Sequence, residues 1–464
     1  MKSFFDCGGV SVDEVAAACG GKLISKEKSY ITGVERDSRQ VKNGDLFIAI
    51  KGERVDGHDY VAKAFEKGAS AALVEYIPEG VCGNFIVVSD TVKALGKFAS
   101  AYKDAIAPVT CGVTGSVGKT TVKQFVYSVL SRAYNTCKTE GNFNNEIGLP
   151  LSLLSLTSKH TAAVFELGMS ARGEIEYLSN LCKPDIAVIT NIGTSHIEHL
   201  GSREEIRNAK MEIVSGMKKD GKLILNGDEP LLSGVDGAIY VSLKNPDSDY
   251  RVTNIRSDEN GTVFDLVTPT GIEEDIRIST YGETLALDAA LALAVGDVAE
   301  ISRSEIRLGL ASYEPTGMRQ RIRDFRGITF IDDYYNAAPE SMKSSIGVLK
   351  LTSDRNGGAS VAVLGDMREL GAHSAELHRQ VGRAVIENGI TTLITFGEYA
   401  SEIANGALEA GMSKENVHVF MDLENVSAVS AAIMKLAKPG DTVLFKASRA
   451  VAMERIGECI DQEF

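Results

Sequence analysis

The chain has 464 residues, with 49 Lys and Arg against 63 Asp and Glu, so its formal net charge is −14. At roughly 150 residues per domain, this length predicts about three domains. The acidic balance argues against nucleic acid or an anionic lipid surface as a partner, because both require a surplus of basic residues.

The cysteines indicate a reducing compartment. Their odd number and wide spacing offer neither a disulfide ladder nor a CxxC metal clasp. Lys2 and Asp6 precede any apolar stretch, and no run approaches 18 apolar residues, so neither a secretion signal nor a membrane span is predicted. We therefore expect a cytoplasmic protein with free thiols. The cysteines are Cys7, Cys19, Cys82, Cys111, Cys137, Cys182 and Cys459.

Residues 1–106 alternate short apolar runs, such as LFIAI and AALVEY, with helical stretches, which predicts a small α/β domain. Residues 107–314 begin with a strand, a glycine loop and a helix. Further apolar runs near 162, 186 and 222 are typical of buried parallel strands. Alternating residues between 250 and 280 predict antiparallel strands, and an apolar helix follows them.

The last predicted domain, 315–464, starts at Pro315 and repeats strand then helix five times. This regular alternation favours a doubly wound, Rossmann-like parallel sheet. The overall prediction is an α/β protein of three domains, the central one similar to P-loop ATPases.

The strongest local motif is GVTGSVGKTT at 112–121, between a buried strand and a helix. Successive backbone N–H groups and the helix N-terminus can bind phosphate there. Lys119 would reach the β and γ phosphates, and the Thr120 hydroxyl would hold Mg²⁺. The first glycine is spaced differently from an ordinary P-loop, and the alternative is a glycine-rich turn without a ligand. The predicted nucleotide contacts are Thr114, Gly115, Ser116, Val117, Gly118, Lys119, Thr120 and Thr121.

Other candidates follow predicted strands, whose carboxyl ends share one edge of a parallel sheet. Glu166 ends the strand AAVFE and is a candidate Mg²⁺ ligand. His196 follows another strand and is a second candidate; with His199 it forms an HxxH pair, but no third zinc ligand is nearby. Lys210 on its own is an ordinary helix lysine among glutamates. A half-site for an anionic ligand is predicted in the last domain from Arg319, Asp333, Asn336, Lys446 and Arg449.

Together these motifs resemble a known family over essentially the whole chain. GVTGSVGKTT, TEGNFNNEIGLP, FELGMS, NIGTSHIEHLGS, NAKMEI, DDYYNAAPESM, VLGDMRELG and KASR occur here in the order and spacing of the Mur ligases, which build the bacterial cell-wall precursor. The YNAAP and VLGDMRELG blocks are similar to those of the members that add a D-alanyl-D-alanine dipeptide to a UDP-N-acetylmuramoyl-tripeptide.

The resemblance implies ATP-dependent conversion of the tripeptide carboxylate to an acyl phosphate, followed by attack of the dipeptide amine. It implies two Mg²⁺ ions, held by Thr120, Glu166, His196 and Lys210, with Lys210 matching a lysine that is often carbamoylated. Asn142, Asn144 and Asn145 would line the passage between nucleotide and peptide. Asp333, Asn336 and Arg319 would approach ATP and the dipeptide, with Lys446 and Arg449 beside the substrates. The UDP-sugar would lie on the DSR and DGH blocks, at Ser38, Arg39, Asp56, Gly57 and His58.

Four positions depart from the family pattern. Ala338 replaces the second Asn of YNANP, and Ala447 replaces the Gly of KGSR. Thr284 and Asp288 stand where His and Asn are frequent. These positions are expected to lie near the nucleoside or the dipeptide. We therefore expect this chain to differ from other family members in its affinity for nucleotide and in its choice of amine.

Two alternatives stay open from the sequence. One is a Mur ligase that adds a single amino acid to a shorter muramoyl peptide. The other is a P-loop ATPase that acts as a switch, which would not require the DSR and DGH blocks or an amine. We expect a monomer.

Overall fold

The computed structural model describes residues 4–25 and 28–463. Internal contacts divide this part of the chain into two compact units, each built from several segments. The first unit contains the residues up to Thr114 together with 130–188 and 211–223. The second contains 115–129, 189–210 and the chain from 224 onward. The boundaries predicted near residues 106 and 315 divide the chain differently, into three consecutive domains. They remain predictions.

The described residues among the first 106 form a five-stranded sheet, a two-stranded ribbon and three α-helices. The strands are β1 (Val10–Ser11), β2 (Lys22–Ile24), β3 (Tyr30–Ile31), β4 (Gly33–Glu35), β5 (Asp45–Ile48), β6 (Ala71–Val74) and β7 (Phe85–Val87), and the helices are α1 (Val12–Cys19), α2 (Val61–Glu66) and α3 (Thr91–Ile106). The strand order is β2-β7-β6-β5-β4, parallel except for β2, while β1 and β3 form a separate antiparallel ribbon. Strands β5 and β6 are buried throughout, which explains why all their residues but Asp45 are apolar.

The middle of the chain supplies nine strands and seven helices. They are β8 (Val109–Thr114), α4 (Lys119–Leu130), β9 (Thr136–Lys138), α5 (Gly148–Leu154), β10 (Ala162–Glu166), α6 (Glu174–Cys182), β11 (Ile186–Ile189), α7 (Ile197–Leu200), α8 (Arg203–Met211), β12 (Lys222–Asn226), β13 (Ile239–Ser242), β14 (Tyr250–Asp258), β15 (Gly261–Thr268), β16 (Gly271–Ile278), α9 (Glu283–Val298) and α10 (Arg303–Ala311).

Within the first unit, β8 lies between β11 and β10, and β9 follows β10; strands β8, β10 and β9 are parallel. Glu166 at the end of β10 pairs with Val113 near the end of β8, so both strands finish at the same edge. Within the second unit, β12, β13 and β14 are parallel, and β14 to β16 form an antiparallel meander. The expected apolar strands and the antiparallel run at 250–280 are therefore present.

The C-terminal part, which lies in the second unit, is a six-stranded sheet flanked by helices. Its elements are β17 (Arg321–Phe325), β18 (Ile328–Asp332), α11 (Pro339–Asn356), β19 (Ser360–Gly365), α12 (Ser374–Glu387), β20 (Thr392–Phe396), α13 (Ala400–Glu409), β21 (Val417–Phe420), α14 (Val426–Leu436), β22 (Thr442–Lys446) and α15 (Glu454–Glu463). The strand order is β17-β18-β22-β19-β20-β21. Strands β18 to β22 are parallel, as predicted, and each is followed by a helix.

The edge strand β17 of this C-terminal sheet was not predicted. Strand β17 pairs antiparallel with β18, and most of its side chains are exposed or half-buried. An edge strand is held through its backbone on one side only, so it needs no continuous apolar face. Its charged sequence RIRDF therefore lacks the signal that identified the buried strands. In the part of the chain that the structure describes, no helix is long and apolar enough to cross a bilayer.

Candidate active site

The glycine-rich loop after β8 is shaped by the residues that follow β11. The Asn191 side-chain oxygen accepts hydrogen bonds from the backbone N–H groups of Ser116 (3.1 Å) and Val117 (2.9 Å). The Gly193 N–H donates to the Ser116 hydroxyl at 2.9 Å, and the Thr190 hydroxyl donates to the Val117 carbonyl. Residues 190–193, which sequence reasoning did not single out, therefore hold the loop in place.

This loop requires glycine at two positions, and a lysine side chain bonds to its backbone. A Cβ on Gly115 would lie 1.8 Å from the Thr190 hydroxyl oxygen, and Gly118 has a φ of 85°, where side chains are disfavoured. The Lys119 ammonium donates to the carbonyl oxygens of Gly115 (2.8 Å) and Ser116 (3.2 Å). A glycine loop, a lysine and the N-terminus of α4 are a donor set that fits nucleotide phosphates.

The three threonines that flank the loop differ in their contacts within the protein. Thr114 is buried and donates its hydroxyl to the Leu167 carbonyl at 2.9 Å. Thr120 is also buried, in the first turn of α4. Thr121 is hydrogen-bonded to the phenol of Tyr313, whose ring stacks on Phe125 with centroids 3.8 Å apart. Of the three, Thr120 has the position expected of a metal-binding hydroxyl after the loop lysine.

Glu166 lies where its strand predicted, at the carboxyl end of β10. Its carboxylate accepts a hydrogen bond from the Asn144 side chain at 2.9 Å, and Glu166 is buried. Asn145 instead accepts a hydrogen bond at 2.8 Å from the N–H of Gly148, the first residue of α5, and Asn142 is exposed on the same loop. The Asn144 side chain thus contacts Glu166, whereas the Asn145 side chain bonds to the neighbouring backbone of α5.

Lys210 is buried inside α8, with 1% of its surface exposed. Across residues 4–25 and 28–463 it has neither a hydrogen bond nor an ion pair. Burial, with a smaller contribution from the nearby Lys119 cation, holds the pKa of Lys210 well below its usual range. A buried lysine without an acidic partner is costly as an ammonium. The pattern-based alternative of a solvated helix lysine is therefore wrong for its environment.

His196 has an unusual backbone and an unexpected partner. Its φ is 67°, and its Nδ1 contacts the Glu369 carboxylate from the VLGDMRELG block. This hydrogen bond is the main reason that the pKa of Glu369 lies below its usual range. Among the described residues no group of three or more His, Cys, Asp or Glu could hold a metal ion. Mg²⁺ in nucleotide sites commonly takes one or two carboxylates plus phosphate and water, so a metal site of this kind does not require such a group.

The predicted C-terminal half-site is organised by a buried ion pair. The Lys446 ammonium donates to the Asp333 carboxylate at 2.8 Å and to the Asn336 carbonyl at 3.2 Å. Both charged side chains are more than nine-tenths buried. The Arg319 guanidinium stacks on the Tyr335 ring, 3.7 Å from its centroid. Lys446, at the end of β22, thus holds the segment after β18 that carries Asp333 and Asn336.

Arg449 and the four residues that depart from the family pattern lie in different environments. Arg449 is largely exposed and pairs with Glu454 at 3.4 Å. Thr284 shares a hydrogen bond with Ser344 at 2.7 Å. The Asp288 carboxylate oxygens lie 3.2 and 3.4 Å from where a Cβ on Gly118 would be, and burial raises the pKa of Asp288 well above its usual range. Asp288 therefore borders the phosphate loop. Ala338 and Ala447 are buried.

The N-terminal candidates form a tightly bonded surface loop. The Asp56 carboxylate accepts from the His58 backbone N–H (2.9 Å) and lies 2.6 Å from its Nδ1, while His58 Nε2 accepts from the Glu75 N–H (2.9 Å). The Tyr76 ring stacks on the buried His58 ring. A Cβ on Gly57 would lie 2.6 Å from the Ile50 nitrogen. Both ring nitrogens of His58 are therefore occupied within the protein.

The other two candidates of this region differ in exposure. The Arg39 side chain is 78% exposed and forms a bidentate pair with Asp37, with N–O distances of 2.8 and 2.9 Å. Its guanidinium is thus held in one orientation on the surface. Ser38, in contrast, is buried.

The first unit contains a cavity that the sequence did not predict. Its volume is about 480 Å³, and it extends from the N-terminal sheet to Asn145 and Gly168, close in sequence to Asn144 and Glu166. Both acidic and basic side chains line it. Its charged and aromatic lining residues are Lys51, Glu75, Asp90, Lys93, Glu146, Arg172, Glu174 and Tyr177. Because they come from distant parts of the chain, no local motif marks them.

Three family models match consecutive parts of the chain. They describe the Mur ligase family catalytic domain at residues 30–103, the Mur ligase middle domain at 113–296, and the Mur ligase glutamate ligase domain at 318–449.

Individual relatives match over nearly the full length. The UDP-N-acetylmuramoyl-tripeptide–D-alanyl-D-alanine ligase of Bacillus subtilis (strain 168) is 40% identical over 96% of this chain and 97% of its own. The ligase of the same name from Escherichia coli (strain K12) is 33% identical over 98% of both chains.

Solved structures agree with these sequence matches. A crystal structure of MurF from Acinetobacter baumannii superposes with a TM-score of 0.89 at 30% identity, covering 98% of this chain and 99% of that one. MurF ligase from Thermotoga maritima, in complex with ADP, superposes with a TM-score of 0.83 at 30% identity, covering 93% and 97%. The family models, the full-length relatives and the superposed structures agree with one another and with the phosphate loop described above. This chain therefore belongs to the Mur ligase family and is of the MurF type.

Proposed function

We propose that the protein joins D-alanyl-D-alanine to the terminal carboxylate of UDP-N-acetylmuramoyl-tripeptide, with ATP converted to ADP and phosphate. The observation that carries this proposal is full-length similarity to two ligases of that name, at 40% and 33% identity. The loop geometry around Lys119 supports the use of ATP, and the charged cavity of the first unit suits a peptide substrate.

The reaction has two steps. A tripeptide carboxylate oxygen attacks the γ-phosphorus of ATP, the bond to the β–γ bridging oxygen breaks, and ADP leaves. The dipeptide amine then attacks the acyl carbon, loses a proton, and phosphate leaves as the amide forms. Phosphoryl transfer is catalysed mainly by positioning and by positive charge on the transferring group. In this chain Lys119 and the loop N–H groups supply that charge.

Mg²⁺ is the expected companion of ATP, and it would neutralise phosphate charge when bound. We assign Thr120, Glu166, His196 and Lys210 as the residues that would hold two such ions. An ammonium at Lys210 would repel a divalent cation, whereas its neutral amine can react with CO₂ to form a carbamate and a proton. The depressed pKa of Lys210 favours the amine, so we propose that Lys210 is carbamoylated and contributes an oxygen ligand.

The substrates are assigned to three groups of residues. The tripeptide occupies the cavity and passes Asn142, Asn144 and Asn145 on its way to the phosphates. The UDP-sugar contacts the surface formed by Ser38, Arg39, Asp56, Gly57 and His58. ATP and the dipeptide meet Arg319, Asp333, Asn336, Lys446 and Arg449.

We further propose that the enzyme is a cytoplasmic monomer. Its cysteines within the described residues are all unpaired, as expected in a reducing compartment.

Phosphate release with different amines tests the proposed function. The enzyme is supplied with ATP, Mg²⁺ and UDP-N-acetylmuramoyl-tripeptide, and with D-alanyl-D-alanine, a diamino acid or no amine. We expect release only with the dipeptide, together with a product heavier by the dipeptide minus water. Stimulation by a diamino acid with the shorter muramoyl peptide would instead establish the single-residue ligase, and release without any amine would establish an ATPase.

A further inference from the structure

The loop after β11 is attached to the phosphate loop on one side. Asn191 accepts from two loop N–H groups, and the Gly193 N–H donates to Ser116, all at 2.9–3.1 Å. A displacement of residues 191–193 would therefore move the backbone N–H groups of Ser116 and Val117 that the phosphates require.

On its other side the same loop is attached to the start of α11. The Glu340 carboxylate accepts from the Thr194 backbone N–H (3.1 Å) and from its hydroxyl (3.2 Å). A Cβ on Gly193 would lie 2.8–3.0 Å from the carboxylate atoms of Glu340. The close approach thus depends on glycine, and the carboxylate lies directly against the loop backbone.

The first turns of α11 also contact Asp333, one of the predicted half-site residues of the C-terminal sheet. The Ser345 hydroxyl, one turn beyond Glu340, donates to the Asp333 carboxylate, which in turn pairs with Lys446. Glu340 is the acidic residue in the first turn of α11, where a negative charge is favoured by the helix dipole. The N-terminal part of α11 is therefore hydrogen-bonded both to Thr194 and to Asp333.

We propose that Glu340 is a positioning residue for phosphoryl transfer: by holding Thr194 it sets residues 191–193, and through them the phosphate loop, at a fixed place relative to Asp333 and Asn336. This role rests on the proposed ligase function and adds a residue to it. Glu340 touches no reacting atom; it acts through the loop. Its loss should slow the chemical step more than it weakens ATP binding, because misplacement of reacting groups by about 1 Å costs rate as much as about 100-fold.

The test compares Glu340→Ala with Glu376→Ala. Glu376 is also the acidic residue in the first turn of a helix of the same sheet, α12, but its ion pair is with Arg383. Both variants lose the favourable charge at a helix start, and only Glu340→Ala loses the loop contact. Single-turnover formation of ADP at saturating ATP and tripeptide measures the chemical step, and binding of a fluorescent ATP analogue measures affinity.

We expect Glu340→Ala to lower the single-turnover rate about 10- to 100-fold, with ATP affinity changed less than threefold and Glu376→Ala close to wild type. Glu340→Gln, which keeps an acceptor oxygen for the Thr194 N–H, should recover part of the rate. Thr194→Val should be slower than wild type and should add little to Glu340→Ala.

Three outcomes would overturn the proposal: equal rates for Glu340→Ala and Glu376→Ala, a loss confined to ATP affinity, or additive effects of Thr194→Val and Glu340→Ala. If Glu340→Ala does not fold, wild-type rates in both Glu340→Gln and Thr194→Val would overturn it. A wild-type enzyme that makes no pentapeptide product with the dipeptide would contradict the proposed function itself, which separates the two failures.

Discussion

His196 and Glu369 contact each other through their side chains, and both have left-handed backbones, with φ of 67° and 62°. Such a conformation costs a residue other than glycine roughly 1–2 kcal/mol. Two disfavoured residues in contact indicate that the surrounding structure holds the pair for a purpose. Because His196 is a proposed Mg²⁺ contact, Glu369 would orient its ring.

Glu369→Asn tests this relationship, since asparagine tolerates the left-handed conformation but lacks the charge. We expect the thermal midpoint to stay near that of wild type and turnover to fall about 10- to 100-fold, the usual cost of losing the partner of a metal-binding histidine. Turnover is measured against Mg²⁺ concentration. Glu398→Gln is the control, because Glu398 pairs with Arg368 at 3.3 Å. Equal activity of the two variants would contradict the orienting role.

Lys119→Ala should abolish turnover without unfolding the protein. Its ammonium lies across the phosphate loop, and loss of one preorganised charge contact costs about 3 kcal/mol, or about 100-fold or more in rate. Steady-state phosphate release measures the loss, and circular dichroism checks the fold. Lys435→Ala on the exposed face of α14 should behave as wild type. Activity of Lys119→Ala within a few-fold of wild type would remove the phosphate-loop assignment.

Lys210 should carry a carbamate. Protein equilibrated with ¹³C-bicarbonate should give a carbamate resonance that Lys210→Ala lacks, and this variant should lose about 100-fold in turnover, as for loss of one charge-stabilising group. Short carboxylic acids should restore part of the rate by occupying the vacated place.

Lys103 is the internal control for the carbamate. It is also buried, and burial lowers its pKa, but it is ion-paired with Asp104 at 3.5 Å. A neighbouring carboxylate disfavours a second anion, so Lys103→Met should leave the resonance unchanged. Full activity of Lys210→Ala, or a resonance that persists in it, would refute the modification.

Lys446→Met should destabilise the C-terminal sheet, because removal of one partner leaves the buried Asp333 carboxylate uncompensated. The cost of breaking such a pair is about 3–5 kcal/mol, visible as a lower midpoint in thermal or urea unfolding. The double variant Lys446→Met with Asp333→Asn should recover part of this loss, since no buried charge remains. An unchanged midpoint in the single variant would show that the ion pair does not stabilise the sheet.

Thiol labelling should separate the seven cysteines into two classes. Cys7 and Cys82 are exposed and Cys459 is half-buried, whereas the other four are buried. Burial raises the pKa of Cys19 and Cys182 to about 12 and also raises the pKa of Cys111 and Cys137. At pH 8 these four should be almost entirely protonated. Ellman's reagent should therefore titrate at most three thiols before denaturation and seven after it. Rapid reaction of more than three would contradict the described packing.

The sequence by itself identified the main buried strands in order and the glycine loop between β8 and α4. Apolar runs identified the buried strands. The sequence also placed Lys119 at the junction of the glycine loop and α4, Glu166 at the end of β10 and Asp333 directly after β18, as observed. These are local signals: a strand buried on both faces requires consecutive apolar residues, and a phosphate loop requires its glycines and lysine within one short segment.

Only the tertiary structure decided which side chains are partners. Thr194 and Glu340 are 146 residues apart in the chain, and Lys446 and Asp333 are 113 apart, so no local pattern links them. It also decided that Lys210 is buried and, among the residues that the structure describes, has no acidic partner. The ring nitrogens of His58 likewise bond within the protein. The physical reason is that burial and hydrogen-bond competition are set by the packing of distant segments, whereas local sequence specifies only the elements that pack.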